Sequence, residues 1–356
     1  MSSYAPFARG PHPVGVFSAV LHDSHRDSRK VELEVWYPAA ARHRGADLAP
    51  ATQDLHAVFG VHQVRQAAVR DAEPLPGRHP TVLFSHGIAG HRRQSTFLCT
   101  HLASHGYAVL APDHGGHTLA DLVALVMRMG GAGAAQLPLD VEEVLFGHVA
   151  DRPRDLAFVL DALADGTLQT PVEVDLACVA VSGHSFGGFT ALALASLDPR
   201  VVCAVALAPA GGEGPLAHAA LTAALPLDFG GRVSTLYLAL GRDSLLPLEG
   251  VAGLYRRTPA PARMFVLREG DHMHFCDRAE SSHEFFRRLP PVGILADVMR
   301  RLPPFASLAP AHHGYAFASA LTLAQLDATL RRNAEAEHFL AHDALAALAE
   351  RGIAAE

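Results

Sequence analysis

The chain opens on two short runs in which apolar side chains recur at strand spacing: Val14 to Leu21, then Val31 to Tyr37, where Val31, Leu33 and Val35 alternate with Glu32 and Glu34. Period-two alternation puts one set of side chains on a buried face. The polar stretch Asp23 to Ser28 between them predicts an antiparallel hairpin. After a connector rich in Pro and Ala, the apolar run Thr81 to Ser85 leads into His86-Gly87-Ile88. Ser95 to His105 then has helical periodicity ending at Gly106, and Ala108 to Ala111 predicts a strand closed by Pro112-Asp113. Pro153 to Ala164 predicts a helix, with proline in its first turn and Leu156, Val159, Leu160 and Leu163 on one face.

The apolar run Ala177, Val179, Ala180, Val181 gives way at Gly183-His184-Ser185-Phe186-Gly187-Gly188 to a helix-like stretch from Phe189 to Leu197. Three further apolar runs follow, Val201 to Leu207, Thr235 to Leu240 and Ala262 to Leu267, separated by segments able to hold helices. Strands alternating with helices predict an α/β fold with a mostly parallel central sheet flanked by helices. We expect a single domain over residues 1–356. Residues 115–150 and 275–310 do not fit the repeating core and are expected to cap the site, the alternative being satellite helices packed on the core. The helix-like tail from Ala334 to Arg351, with Phe339, Leu340, Leu345 and Leu348 apolar, is expected to pack on its own core. Oligomeric state is not legible.

With 49% of 356 residues hydrophobic and 18% charged, the chain has ample material for a core without a metal or disulfide staple. A net charge of −7 argues against a nucleic-acid partner, which needs clustered Lys and Arg. Cys99, Cys178, Cys203 and Cys276 lack Cys-x-x-Cys spacing, and Cys178 and Cys203 fall in strand-like runs where reduced cysteine behaves as a small hydrophobe. No run reaches about 18 apolar residues, and the N-terminus lacks a basic stretch leading into an apolar one. The expectation is a cytoplasmic protein without membrane insertion; a leader removed beforehand would leave the same trace and a secreted protein.

A serine between glycines at a strand-to-helix junction is what a nucleophile elbow requires, because the turn is strained and flanking side chains would clash. Ligands of a parallel sheet bind beyond the carboxyl ends of its strands. His86, Asp113, Ser185, Asp243 and His272 each follow a different predicted strand, so they can converge there. Ser185 is the candidate nucleophile, His272 its base and Asp243 the acid that orients the base, in the chain order Ser, Asp, His. His274 competes with His272 but lies further from the strand end, and is expected as a pocket wall or a core contact. The backbone amides of Phe186 and Ile88 are the candidate oxyanion donors. Side chains of Ile88, Phe186, Leu122, Met129 and His274 are the candidate substrate contacts. His272 and His274 find no third ligand at metal-binding spacing, so no metal and no cofactor is expected.

These residues resemble the α/β-hydrolase superfamily, and within it the branch holding platelet-activating-factor acetylhydrolases and serine-type relatives of dienelactone hydrolase. The similar blocks are Val35-Trp36-Tyr37-Pro38, Phe84-Ser85-His86-Gly87, Pro112-Asp113-His114-Gly115-Gly116, Gly183-His184-Ser185-Phe186-Gly187-Gly188 and His272-Met273-His274-Phe275-Cys276-Asp277. The resemblance runs from about Val14 to Asp277, with Phe317 to Arg331 similar to the closing helix. It implies the fold and the triad. It departs at Val205-Ala206-Leu207-Ala208-Pro209, where the acetylhydrolases carry their triad aspartate and this chain has no acid, leaving Asp243. Dienelactone hydrolases use cysteine where this chain has Ser185.

The reaction expected is hydrolysis of a small to medium ester with an apolar acyl part, through an acyl-enzyme on Ser185. Two rivals stand beside it. One is a binding protein that keeps the fold without chemistry; the other is a triad hydrolase of amide or carbon–carbon bonds.

Overall fold

The computed structural model describes residues 4–58, 62–121, 123–124, 145–289 and 296–356. Among these, nine strands form one sheet. In chain order they are β1 (Val14–Asp23), β2 (Arg29–Pro38), β5 (Val69–Arg70), β6 (Arg78–Ser85), β7 (Ala108–Pro112), β8 (Glu173–His184), β9 (Val201–Leu207), β10 (Ser234–Leu240) and β11 (Ala262–Leu267). A separate antiparallel ladder joins β3 (Asp54–Val58) to β4 (His62–Gln66). The order across the main sheet is β11-β10-β9-β8-β6-β7-β2-β1-β5. From β7 to β11 neighbouring strands run parallel, while β2 lies antiparallel to both β1 and β7.

Strand alternation sorts the core onto two faces. In β8, Val179 and Val181 join one cluster while Ala180 joins the other; in β6, Leu83 parts from Val82 and Phe84 in the same way. The first face is covered by α2 (Asp151–Ala164), which buries Leu156, Val159 and Leu160, and by the elbow helix α3 (Phe186–Leu197). The second is covered by α1 (Thr96–Ser104) and by the 20-residue helix Ala311–Leu330, which buries Phe317, Leu321 and Leu326. The tail packs on its own chain. Phe339, Leu340 and Leu348 enter the second cluster, and the Val266 and Glu356 main chains exchange both hydrogen bonds, which covers the β11 edge.

The sequence pattern missed β3, β4 and β5, read as connector. Their hydrophobic signal is weak, and polar bonds hold them in place: Trp36 Nε1 donates to Gln66 Oε1 (2.6 Å), Gln66 Nε2 to Asp54 Oδ2 (2.6 Å), and Arg70 pairs with Asp54 and Glu34. Cys178 is exposed rather than buried in its strand. Against β6 the register shifts between the pairs Pro80–Asp175 and Thr81–Val179, so Leu176 to Cys178 bulge out of the ladder. Of the two expected caps, residues 122 and 125–144 lie outside the described residues, as do 290–295. Leu145, Phe146 and Val149, at the end of the first cap, belong to the main core. The second contains helices Ala279–Arg288 and Ala296–Arg301, and a small cluster of its own around Ala279, Phe305 and Leu308.

Candidate active site

Ser185 joins β8 to α3 with φ 62° and ψ −122°, a conformation in which a residue bearing a side chain is strained. The turn is held tight: Ser185 N donates to Leu207 O (2.9 Å), and Ser185 O accepts from Phe189 N and Ala210 N. Close approach explains the glycines. A Cβ on Gly187 would lie 1.9 Å from Ser85 O, and one on Gly183 would lie 2.3 Å from Gly187 O. Ser185 is 2% exposed.

Asp243 follows β10, and its two carboxylate oxygens have separate tasks. Oδ1 accepts the Leu245 and Leu246 amides at 2.9 and 2.8 Å, and Oδ2 faces His272 Nδ1 at 2.8 Å. A carboxylate only accepts, so His272 carries its proton on Nδ1 and turns a basic Nε2 away from Asp243. Burial disfavours the imidazolium, but Asp243, with Asp271 adding to it, overrides that and leaves the His272 pKa raised. The His272 ring lies 4.5 Å from the ring of His184, the residue before Ser185, which brings this candidate base close to the turn. Among the described residues Ser185 Oγ makes no hydrogen bond. The histidine–aspartate half of the row is closed and the serine half is open.

The loop after β6 lies against the elbow: a Cβ on Gly87 would stand 3.3 Å from Ser185 Cβ. Almost every polar group of this loop has a partner. Gly87 N donates to Gln94 Oε1 (2.9 Å), which turns the Gln94 amide nitrogen to His184 Nδ1 (3.0 Å). His114 N donates to His86 Nε2 (3.1 Å), which leaves the His86 proton on Nδ1, and Nδ1 donates to Gly87 O (2.6 Å). Arg152 Nη2 donates to His86 O. Ala89 N donates to His117 O (2.9 Å). Among the described residues the Ile88 and Phe186 amides find no acceptor.

The remaining expected contacts are placed differently. Leu122 and Met129 lie outside the described residues. Ile88 is half-buried against the core, and the Phe186 ring is wholly buried against Phe146 and His117, so it belongs to the core rather than to an open wall. His274 is no substrate contact but a structural cap. Its Nδ1 accepts from Asp271 N (3.0 Å), its Nε2 donates to Ala309 O (2.8 Å), and its ring stacks on Phe305. Sequence reasoning passed over Gln94, Arg152 and Asp155, and read Asp271 only as part of the turn before His272. Asp271 accepts from His272 N and Ser244 Oγ and faces His283 Nδ1 at 3.6 Å, tying the histidine loop to the second cap. Arg152 had a legible signal: it sits four residues before Leu156 and seven before Val159, a charge on the apolar stripe of its helix.

A family model described as "Serine aminopeptidase, S33" matches residues 77–227, and one described as "Platelet-activating factor acetylhydrolase, isoform II" matches residues 2–124. The chain is 27% identical over 161 residues to the platelet-activating factor acetylhydrolase of Bos taurus, a match covering 36% of this chain and 35% of that protein. It thus spans about a third of that relative's length. A solved ferulic acid esterase from Streptomyces cinnamoneus superposes with a TM-score of 0.61 at 25% identity, covering 91% of this chain and 92% of the other. No helix among the described residues is long and apolar enough to cross a membrane. With the order of its sheet and the turn at Ser185, the chain has the α/β-hydrolase fold and is similar, over part of its length, to the platelet-activating-factor acetylhydrolases.

Proposed function

We propose that the chain hydrolyses carboxylic esters through an acyl-enzyme on Ser185. The observation that carries this is the strained serine beside a bonded Asp243–His272 pair, with the Ile88 and Phe186 amides unspent next to it. His272 Nε2 takes the hydroxyl proton as Ser185 Oγ attacks the carbonyl carbon. The carbonyl oxygen gains the negative charge, which the two amides accept. Collapse expels the alkoxide, protonated by His272, and leaves an ester on Ser185. Water attacks this ester with His272 again as base, and collapse breaks the bond to Ser185 Oγ, which takes the proton back from His272 as the carboxylic acid leaves. Asp243 holds the tautomer and stabilises the imidazolium in both halves. The Ser185–His272 hydrogen bond forms as substrate enters, as is common for catalytic bonds left open in free enzymes.

The substrate class is a small to medium ester with an apolar acyl part, for which the half-buried Ile88 beside Ser185 offers an apolar contact. The acetylhydrolase relative and the ferulic acid esterase neighbour both support ester chemistry. The aminopeptidase description of one matching family supports an amide reading, and comparing p-nitrophenyl esters with p-nitroanilides of the same acyl group decides between them. Ester turnover that disappears in Ser185→Ala, with fluorophosphonate labelling only the unmutated protein, is the expected result. Full esterase activity in Ser185→Ala would refute the assignment.

A further inference from the structure

Arg152, in the first turn of α2, is 0% exposed, yet among the described residues its guanidinium pairs with no carboxylate. Every acceptor it finds is neutral: His86 O, Thr190 Oγ1 at 2.9 Å, and Ser85 Oγ and His117 Nδ1 at 3.3 Å each. Burying a cation on neutral partners is costly, and a fold that needed only to fill this space would do better with an apolar side chain. What the guanidinium offers is a rigid fork of donors able to hold two groups at once. One arm holds the carbonyl of His86, at the root of the Ile88 loop. The other, Nε, holds Thr190, whose hydroxyl donates to Phe186 O (2.7 Å) in the first turn of α3. The two candidate oxyanion amides come from separate chain segments about a hundred residues apart. Arg152 is bonded toward both.

We propose that Arg152 is a positioning residue that braces the two halves of the oxyanion hole against each other, holding the Ile88 loop through the His86 carbonyl and the Phe186 turn through Thr190. This rests on the ester-hydrolase reading. The brace touches no substrate. It acts by keeping two amides aimed at one oxygen, so its loss is felt in the transition state, where that oxygen is charged, more than in substrate binding.

The test measures p-nitrophenyl butyrate hydrolysis by the full chain carrying Arg152→Met or Thr190→Val, with active sites titrated by a fluorophosphonate. Removing an oxyanion donor costs about 10²–10³ in kcat, so misaiming one by Arg152→Met is expected to lower kcat per titrated site by about 10²-fold, with KM within about threefold. Inhibition by an alkyl trifluoromethyl ketone, whose hemiketal oxyanion needs the same amides, weakens in proportion to kcat/KM. Thr190→Val, a small change that keeps helix packing, gives a smaller loss of about tenfold with the same pattern and decides the matter alone if Arg152→Met does not fold. A merely structural arginine would reduce the number of titratable sites and leave turnover per site and ketone affinity unchanged; that result overturns the brace. Ser185→Ala, run alongside, separates the two ideas, since activity surviving in it sinks the ester-hydrolase reading itself.

Discussion

Two rows of serine, histidine and aspartate stand side by side at the carboxyl edge of the sheet, on the neighbouring strands β6 and β8. In one, Asp243 Oδ2 lies 2.8 Å from His272 Nδ1 beside Ser185. In the other, Asp155 Oδ2 lies 3.0 Å from His114 Nδ1, and His114 Nε2 lies 2.8 Å from Ser85 Oγ. By side-chain geometry the second row is the more complete. Its surroundings differ in every respect that chemistry needs. Both serines are buried, but Ser85 ends its strand without a positive φ, whereas Ser185 sits at a strained turn with unspent amides beside it. Asp155 divides its charge among Arg26, Arg29 and His114, whereas Asp243 gives one oxygen to His272 alone. Burial pulls His114 down to about 4, Arg152 adds to this, and Asp155 does not restore it; for His272 the carboxylates win. Three residue types in a row therefore do not make a catalyst. What favours the Ser185 row for the proposed chemistry is backbone strain, free donors and a carboxylate oxygen given to histidine alone.

The largest effect that breaks this comparison is expected at the two serines. Ser185→Ala should lower kcat by about 10⁶, as removal of a triad serine does, measured with p-nitrophenyl esters. A fluorophosphonate should modify Ser185 and leave Ser85 untouched, read by peptide mass. Label on Ser85 would reverse the roles of the rows.

Next in size is Asp243→Asn, expected to lower kcat by about 10⁴ because the amide favours the wrong imidazole tautomer. It also has a pH signature. The base must be neutral, and its raised pKa puts the acid limb of kcat/KM above the ordinary histidine value of about 6.5. Without the Asp243 charge, burial prevails and the residual limb should move to lower pH. A limb that stays in place would show that Asp243 does not govern His272.

The buried histidines of the other region predict the opposite sign, this time in stability. His114, like His91, has its folded pKa lowered to about 4, and His117 to about 2, each by burial first. Between the unfolded value of about 6.5 and those folded values the unfolded chain binds more protons, so stability falls as pH drops through that window. Urea unfolding at pH 7, 6 and 5 should show proton uptake on unfolding. Stability that rises on acidification would contradict it.

How much of this was legible in the sequence differs between the rows. Ser185, Asp243 and His272 each follow an apolar run whose end is easy to read, and Val201–Leu207 and Ala262–Leu267 appear in the structure with the bounds their patterns predict. Local pattern places such residues because strand ends are local features. The second row has one member on a helix, and Asp155 looks like any polar residue of α2 until the fold turns it inward. Arg152 breaks the stripe of its own helix and was open to detection. Gln94 was not, because its role lies in joining Gly87 to His184, two segments that only the sheet brings together. Whether His274 was a pocket wall or a core contact stayed open for the same reason: Ala309, the partner that makes it a core contact, lies 35 residues away.

The smallest effect tests the silent row directly. Asp155 only accepts, so the His114 proton sits on Nδ1, Nε2 accepts, and the Ser85 hydroxyl donates to it, in the same sense as a working triad. Ser85→Ala removes that donor and leaves a buried nitrogen unpaired, which costs about 1–3 kcal/mol. Its expected signature is a lower urea midpoint with kcat/KM changed by less than about tenfold, because the proposed acyl-enzyme is on Ser185. A variant with unaltered midpoint and abolished turnover would mean that the chemistry runs through Ser85, and that strain and free amides at Ser185 are not what distinguishes the two rows.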